Sequence, residues 1–153
     1  MTEKFILIIP NIRSGHNVGA MFRTADGAGV DKIYICGYSP TPPHPQVDKV
    51  SLGAEKSVPW EYAKQTSRLL KKLKKEGYNI VGLEQDRRSQ NIFDFKPKFP
   101  LALVVGNEKT GLPKNWQALC DELIDIPMRG KKNSLNVSVA GGIAMYYLAQ
   151  FSK

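Results

Sequence analysis

The chain has 153 residues, 42% hydrophobic and 24% charged, which predicts a single globular domain over residues 1–153 and excludes a disordered chain. Lys and Arg number 22 against 14 Asp and Glu, a net charge of +8 that favours a polyanionic partner, nucleic acid first. The longest apolar run, residues 139–149, is too short to span a bilayer and the start lacks a signal-peptide core, so we expect a cytoplasmic protein without membrane attachment.

Short apolar runs recur along the chain and predict strands. The runs are continuous rather than alternating, which is typical of strands covered by helices on both faces. They predict strands at residues 5–9, 33–36, 80–83, 101–105 and 123–126.

Segments with helical spacing lie between these runs. Residues 17–28 place apolar side chains at steps of three and four, and Asn17 can serve as the N-cap of this helix. Residues 61–76 have an apolar stripe opposite a row of basic residues, and the nearly all-apolar segment 136–150 predicts a largely buried helix. Because strands and helices alternate, we expect an α/β domain with a mainly parallel sheet of five or six strands.

Two further segments are predicted to be loops. Residues 39–45 hold four of the ten prolines and fit either a rigid connector or an active-site loop. Residues 86–100 carry four basic side chains and show no obvious helix. Cys36 and Cys120 lack the spacing of a metal site or a disulfide framework, so we expect both to be buried, reduced side chains.

Three polar clusters directly follow predicted strands, at the edge where open parallel sheets bind ligands. They span residues 11–23, 104–113 and 126–142. In the first cluster we expect Arg23 near the apolar stripe of its helix, a position that requires an anionic partner. Each polar side chain alone could be a helix cap or a surface group, but three clusters on one edge favour a binding site.

The motifs in these clusters resemble those of a known enzyme family. NxGxxxR at 17–23, VVGNExxGL at 104–112, and IPM at 126–128 followed by SLNVSVAGGIA at 134–144 are similar to the three motifs of the SpoU (TrmH) family of SPOUT RNA 2′-O-ribose methyltransferases. The resemblance implies a SPOUT-type α/β fold with helices on both faces of the sheet and a C-terminal trefoil knot. It also implies S-adenosylmethionine as cofactor, no metal, and a homodimer with the first and last helices at its interface.

The resemblance also implies roles for individual residues. Arg23 would bind the ribose hydroxyl or an adjacent phosphate and stabilise the emerging alkoxide, because a guanidinium is a poor base. Asn17 would orient Arg23 or the ribose, and Glu108 would hold Arg23 in place. Ser134 and Asn136 would shape the junction of cofactor and ribose. The implied cofactor-binding residues are Leu83, Glu84, Gly106, Ile126, Met128, Ser134 and Leu135.

RNA is the expected substrate, and tRNA is favoured over rRNA because the compact members of the family modify tRNA. Besides Arg23, the residues expected to contact RNA are Arg87, Arg88, Arg129, Lys131 and Lys132. The lysines within 71–75 are interpreted as a solvated helix face. Two alternatives remain open at this point: an RNA-binding protein without catalysis, and a SPOUT enzyme that methylates a base nitrogen.

Overall fold

The computed structural model describes residues 3–152, and these residues build one seven-stranded sheet. The strands are β1 (Phe5–Pro10), β2 (Lys32–Cys36), β3 (Trp60–Ala63), β4 (Asn79–Leu83), β5 (Gln90–Asn91), β6 (Leu101–Val105) and β7 (Glu122–Asp125). All six pairings are parallel, in the order β3-β2-β1-β6-β4-β7-β5. The α/β class and the parallel sheet are therefore confirmed.

Helices cover both faces of the sheet. They are α1 (Gly15–Ala28), α2 (Pro45–Ser51), α3 (Ala54–Ser57), α4 (Thr66–Lys75), α5 (Lys114–Gln117) and α6 (Val137–Ala149). Phe5, Leu7 and Ile9 of β1 join the core under α1, α2, α3 and α6, whereas Ile6 and Ile8 join the core under α4 and α5. This alternation explains the continuous apolar runs, since each central strand is covered twice. Within residues 3–152, no helix is long and apolar enough to cross a membrane.

The sheet has seven strands, not the predicted five or six, and two of them, β3 and β5, were not among the five predicted apolar runs. β3 lies at the sheet edge with Glu61 and Tyr62 exposed, so it lacks a continuous apolar run. The prediction of one helix over 61–76 is wrong, because residues 60–63 pair with β2 and α4 begins at Thr66. β5 has two polar residues and is followed by a 3-10 turn at Ile92–Asp94, inside the segment predicted as a loop.

Capping side chains fix the residues at which α1 and α6 begin. Ser14, not Asn17, is the N-cap of α1, because its side chain accepts a hydrogen bond from the Asn17 backbone N–H at 3.1 Å. Asn136 caps α6 in the same way, accepting from the Ser138 backbone N–H at 2.8 Å. The predicted limits of α6 are within one residue of the observed ones. The trefoil knot stays a prediction.

The cysteines differ in burial. Cys36, at the end of β2, is fully buried as predicted, whereas Cys120 is only half-buried, so that part of the prediction is wrong. Both are free thiols.

Candidate functional site

A cavity of about 440 Å³ opens at the carboxyl edge of β4, β6 and β7. Open parallel sheets bind ligands at this edge, and the volume is typical of small-molecule sites. The wall consists of Leu83, Glu84, Gln85, residues 106–111, Asp125, Ile126, Met128, residues 133–137 and Ala140. All seven residues predicted to bind the cofactor lie in this wall, although their binding role stays a prediction.

Asn107 organises the loop after β6. Its Oδ1 accepts hydrogen bonds from the backbone N–H groups of Lys109 at 2.8 Å and Thr110 at 3.1 Å. Its Nδ2 donates to the Asn11 carbonyl at 2.6 Å, which ties the loop to the end of β1. No role was predicted for Asn107, because an asparagine after a strand does not reveal partners almost 100 positions away.

Gly111 lets the same loop approach Glu84. Its φ of +68° is unfavourable for other residues, and a Cβ there would lie 2.6 Å from Glu84 Oε1. Glu84 Oε1 accepts a hydrogen bond from the Leu112 backbone N–H at 3.1 Å. Burial nevertheless raises the pKa of Glu84 above its ordinary value. A carboxyl group is thereby held against the cavity by the loop that faces it.

Glu108 joins the cavity wall to the start of α1. Its carboxylate accepts hydrogen bonds from the backbone N–H groups of Arg13 at 3.4 Å and Ser14 at 3.2 Å, and from Asn17 Nδ2 at 3.5 Å. Partial burial opposes ionisation, but backbone and side-chain hydrogen bonds outweigh it and lower the pKa of Glu108. The partial positive charge at a helix N-terminus favours a carboxylate at this place.

Arg23 lies on the solvent side of α1, so the prediction that it is near the apolar stripe is wrong. It is exposed, and it makes no hydrogen bond or ion pair with any residue in 3–152. At 3.6 residues per turn it lies roughly 150° around α1 from the centre of the apolar stripe. Within one chain Glu108 does not hold Arg23 as predicted, because Glu108 binds the first turn of α1, about 13 Å of helix before Arg23. Neither Asn17 nor Arg23 lines the cavity of its own chain.

Ser134 and Asn136 lie in the segment between β7 and α6, and both side chains are exposed on the cavity wall. Asn136 Oδ1 accepts hydrogen bonds from both the backbone N–H and the hydroxyl of Ser138, the latter at 2.7 Å. Its capping role and its place at the cavity are thus compatible.

The five cations predicted to bind RNA, besides Arg23, differ in availability. Arg88 is engaged: its Nε donates to Asp86 Oδ1 at 2.9 Å, and its guanidinium also contacts Gln117. This arginine lowers the pKa of Asp86 far below its usual range. The other four, Arg87, Arg129, Lys131 and Lys132, are exposed and have no ion-pair partner among the described residues.

The cavity combines apolar and acidic groups. Leu83, Ile126, Met128 and Leu135 offer apolar surface. The wall contains three acids, Glu84, Glu108 and Asp125, and one basic residue, Lys109. Burial raises the pKa of Asp125. This wall suits a ligand that has a flat apolar ring, hydroxyl groups and positive charge.

Comparison with known proteins agrees with this geometry. The model of the SpoU rRNA Methylase family matches residues 4–146. The 23S rRNA (guanosine-2′-O-)-methyltransferase RlmB of Vibrio parahaemolyticus is 36% identical over 141 residues, which are 92% of this chain and 57% of that protein. The chain thus spans little more than half the length of this curated relative.

Solved structures with this fold match nearly the whole chain. The A. aeolicus TrmH/SpoU tRNA modifying enzyme has a TM-score of 0.88 and 31% identity, and the match covers 98% of this chain and 76% of that one. The AdoMet-bound rRNA methyltransferase of Sinorhizobium meliloti has a TM-score of 0.90 and 25% identity, with 97% and 57% covered.

Proposed function

Because the chain belongs to the SpoU rRNA methylase family, we propose that it is an S-adenosylmethionine-dependent RNA 2′-O-ribose methyltransferase. One observation carries the proposal. The second and third motifs, which are far apart in sequence, build one cavity at the carboxyl edge of the sheet, and Glu108 links that cavity to the first motif.

The cavity fits the proposed cofactor. Apolar side chains such as Leu83 and Met128 suit the adenine ring, and the carboxylates of Glu84 and Asp125 suit hydroxyl and ammonium groups. The excess of acids over bases also suits the positive charge of the sulfonium group. When bound, S-adenosylmethionine supplies an activated methyl group with a neutral thioether as leaving group.

The protein's own residues must handle the ribose. The 2′-hydroxyl loses a proton as its oxygen attacks the methyl carbon, so the site has to stabilise a developing negative oxygen and hold the reactants in line. Arg23 supplies the permanent positive charge for this oxygen, and the proton passes to water or a phosphate oxygen. Glu108 is a positioning residue, because it fixes the first turn of the helix that carries Arg23.

A homodimer accounts for the position of Arg23. Val139 and Tyr146 of α6 are 49% and 56% exposed, and with Gly142 and Ile143 they form an apolar stripe at helical spacing. Tyr146 reaches Gly27 of α1, one turn beyond Arg23. We propose that a second copy covers this face of α1 and α6. Because Arg23 borders the face and does not line its own chain's cavity, it would then serve the cavity of the partner.

We favour tRNA as the substrate class. The 31% identical A. aeolicus structure is named a tRNA modifying enzyme, and the match covers more of that chain than of the 23S rRNA methyltransferase of Vibrio parahaemolyticus. A rRNA ribose is the competing target.

Mixed dimers test the shared site. One subunit would carry Arg23→Ala and the other Gly106→Trp, whose side chain would collide with the backbone of Gly111 and Leu112 and so disrupt the cavity wall. We expect both homodimers to be nearly inactive. An equimolar mixture that exchanges subunits freely should recover about a quarter of the parental activity per site, because half of the dimers are mixed and each of those has one intact site. The matched control mixes Lys71→Ala with Gly106→Trp. There the Lys71→Ala homodimer should methylate RNA without a partner variant, and the Gly106→Trp homodimer should not. A mixture with Arg23→Ala that stays inactive would contradict the shared site.

A further inference from the structure

A strip of aromatic and basic side chains runs from the cavity along the carboxyl edge of the sheet to β3. We call it the edge track, and it consists of Tyr38, Tyr62, Lys64, Arg68 and Lys72. The two tyrosines are 56% and 48% exposed, and all three cations are exposed. The proposed reaction gives none of these residues a task.

Hydrogen bonds connect the edge track to the cavity. Asn107 Nδ2, in the cavity wall, donates to the Tyr38 hydroxyl at 3.0 Å. The neighbouring Gly37 carbonyl accepts from the Tyr62 hydroxyl at 2.9 Å. The Gly37 N–H donates to the Ala63 carbonyl at 3.2 Å, directly before Lys64. Because the strands lie in the order β6, β1, β2, β3, the ends of β6 and β3 are three strand spacings apart, about 14 Å.

The basic part of the edge track borders a groove between α4 and the edge of the sheet. The groove has a volume of about 450 Å³, and Tyr34, Glu61, Ala63, Lys64, Gln65, Arg68, Leu69 and Lys72 line it. Lys64, Arg68 and Lys72 recur every four residues, and none has an ion-pair partner within residues 3–152. Glu61, the acid in this lining, is paired with Lys32 at 3.4 Å. Three uncompensated positive charges therefore face one groove.

We infer that the edge track binds a single-stranded segment of RNA adjacent to the methylated nucleotide, with bases on Tyr38 and Tyr62 and phosphates on the three cations. Exposed rings combined with a basic groove bind single strands with little sequence preference. Tyr62 pairs in register with Ile35 and lies on the sheet face opposite the groove, so the RNA strand would cross the carboxyl edge between the rings and the cations. Duplex RNA is recognised by shape and backbone contacts and leaves such rings unused. This inference rests on the proposed function. It also divides the lysines at 71–75, because Lys72 lines the groove and Lys71 and Lys75 do not.

Charge removal on α4 tests the basic part. The probe is a fluorescein-labelled 20-nucleotide oligouridylate, and its affinity is measured by anisotropy over a series of salt concentrations. Each phosphate contact on a single strand contributes about 0.7 to the slope of log affinity against log salt. Arg68→Gln with Lys72→Gln should therefore reduce the slope by about 1.4. Lys71→Gln with Lys75→Gln is the matched control on the same helix and should leave the slope nearly unchanged.

Substitutions of Tyr38 test the aromatic part. Tyr38→Ala should weaken oligouridylate binding by roughly 5- to 100-fold, since base stacking is lost. Tyr38→Phe keeps the ring, loses the hydroxyl that contacts Asn107, and should bind as the parent does. Equal losses of oligouridylate affinity in the two variants would overturn the proposal that a base stacks on Tyr38.

Calorimetric titration with S-adenosylmethionine separates this inference from the proposed function. A parent protein that binds the cofactor and methylates RNA, but whose oligouridylate affinity falls equally in the two α4 double variants, overturns the edge track alone. A parent that binds the cofactor and not oligouridylate at low salt also overturns it. A parent that neither binds the cofactor nor methylates RNA overturns the proposed function.

Discussion

Replacing Arg23 by alanine separates catalysis from folding, because no polar interaction with the described residues is lost. The side chain is exposed and has no hydrogen bond or ion pair within residues 3–152. Its removal should change the free energy of unfolding by at most about 0.5 kcal/mol, and the melting temperature by at most about 2 °C. Loss of a donor to a developing oxyanion typically lowers turnover by roughly 10² to 10³. The expected effect on rate therefore far exceeds that on stability.

Three measurements on one preparation test this expectation: melting temperature, affinity for S-adenosylmethionine, and the single-turnover rate of RNA methylation. Arg23→Lys should recover little activity, because a flexible ammonium does not reproduce a planar guanidinium. Lys71→Ala is the matched control and should keep the parental rate, because it removes an exposed cation that has no ion pair with any residue from 3 to 152. A folded Arg23→Ala protein with the parental rate would refute the role of Arg23. A large fall in melting temperature together with cofactor affinity would instead indicate a structural role.

Three further predictions follow from the cavity, the helical face and the thiols. Gly111→Ala should lower the free energy of unfolding by about 1–2 kcal/mol for the left-handed backbone alone, and it should weaken cofactor binding by crowding Glu84. An unchanged calorimetric melting temperature would contradict the loss of stability. The parent should sediment as a dimer and Tyr146→Glu as a monomer, whereas a parental monomer at all concentrations would exclude the proposed interface. Desolvation raises the pKa of Cys36 and of the half-buried Cys120 to about 11, so a thiol reagent should label the folded protein slowly at pH 8. Rapid labelling of Cys36 would contradict its burial.

The central fold could be predicted from sequence because its strands are covered twice. β1 and β6 appear as uninterrupted apolar runs for this reason, and their limits were predicted to within one residue. β3 could not be recognised, because an edge strand with Glu61 and Tyr62 exposed has neither a continuous run nor regular alternation. The residues of β3 were therefore predicted as part of the helix that follows it.

The cavity wall was also largely predictable, because motif residues at strand ends meet at one edge of a parallel sheet. Contacts between distant segments were not. The family resemblance implied that Glu108 holds Arg23 in place. The structure instead places Glu108 at the backbone of Arg13 and Ser14. Spacing along a helix could have indicated that Arg23 faces outward, but no local pattern indicates which N–H groups a carboxylate contacts in the fold.

The most direct test of the proposed activity is to locate the methyl group that the protein transfers. The purified protein would be incubated with deuterium-labelled S-adenosylmethionine and with tRNA and rRNA fractions from a strain that lacks its gene. Each fraction would be digested to nucleosides and analysed by mass spectrometry. We predict a labelled 2′-O-methylnucleoside in the tRNA fraction that disappears with Arg23→Ala. A labelled 2′-O-methylnucleoside in the rRNA fraction instead would show that rRNA, not tRNA, is the substrate. A label on a base, or no label in either fraction, would contradict ribose methylation itself.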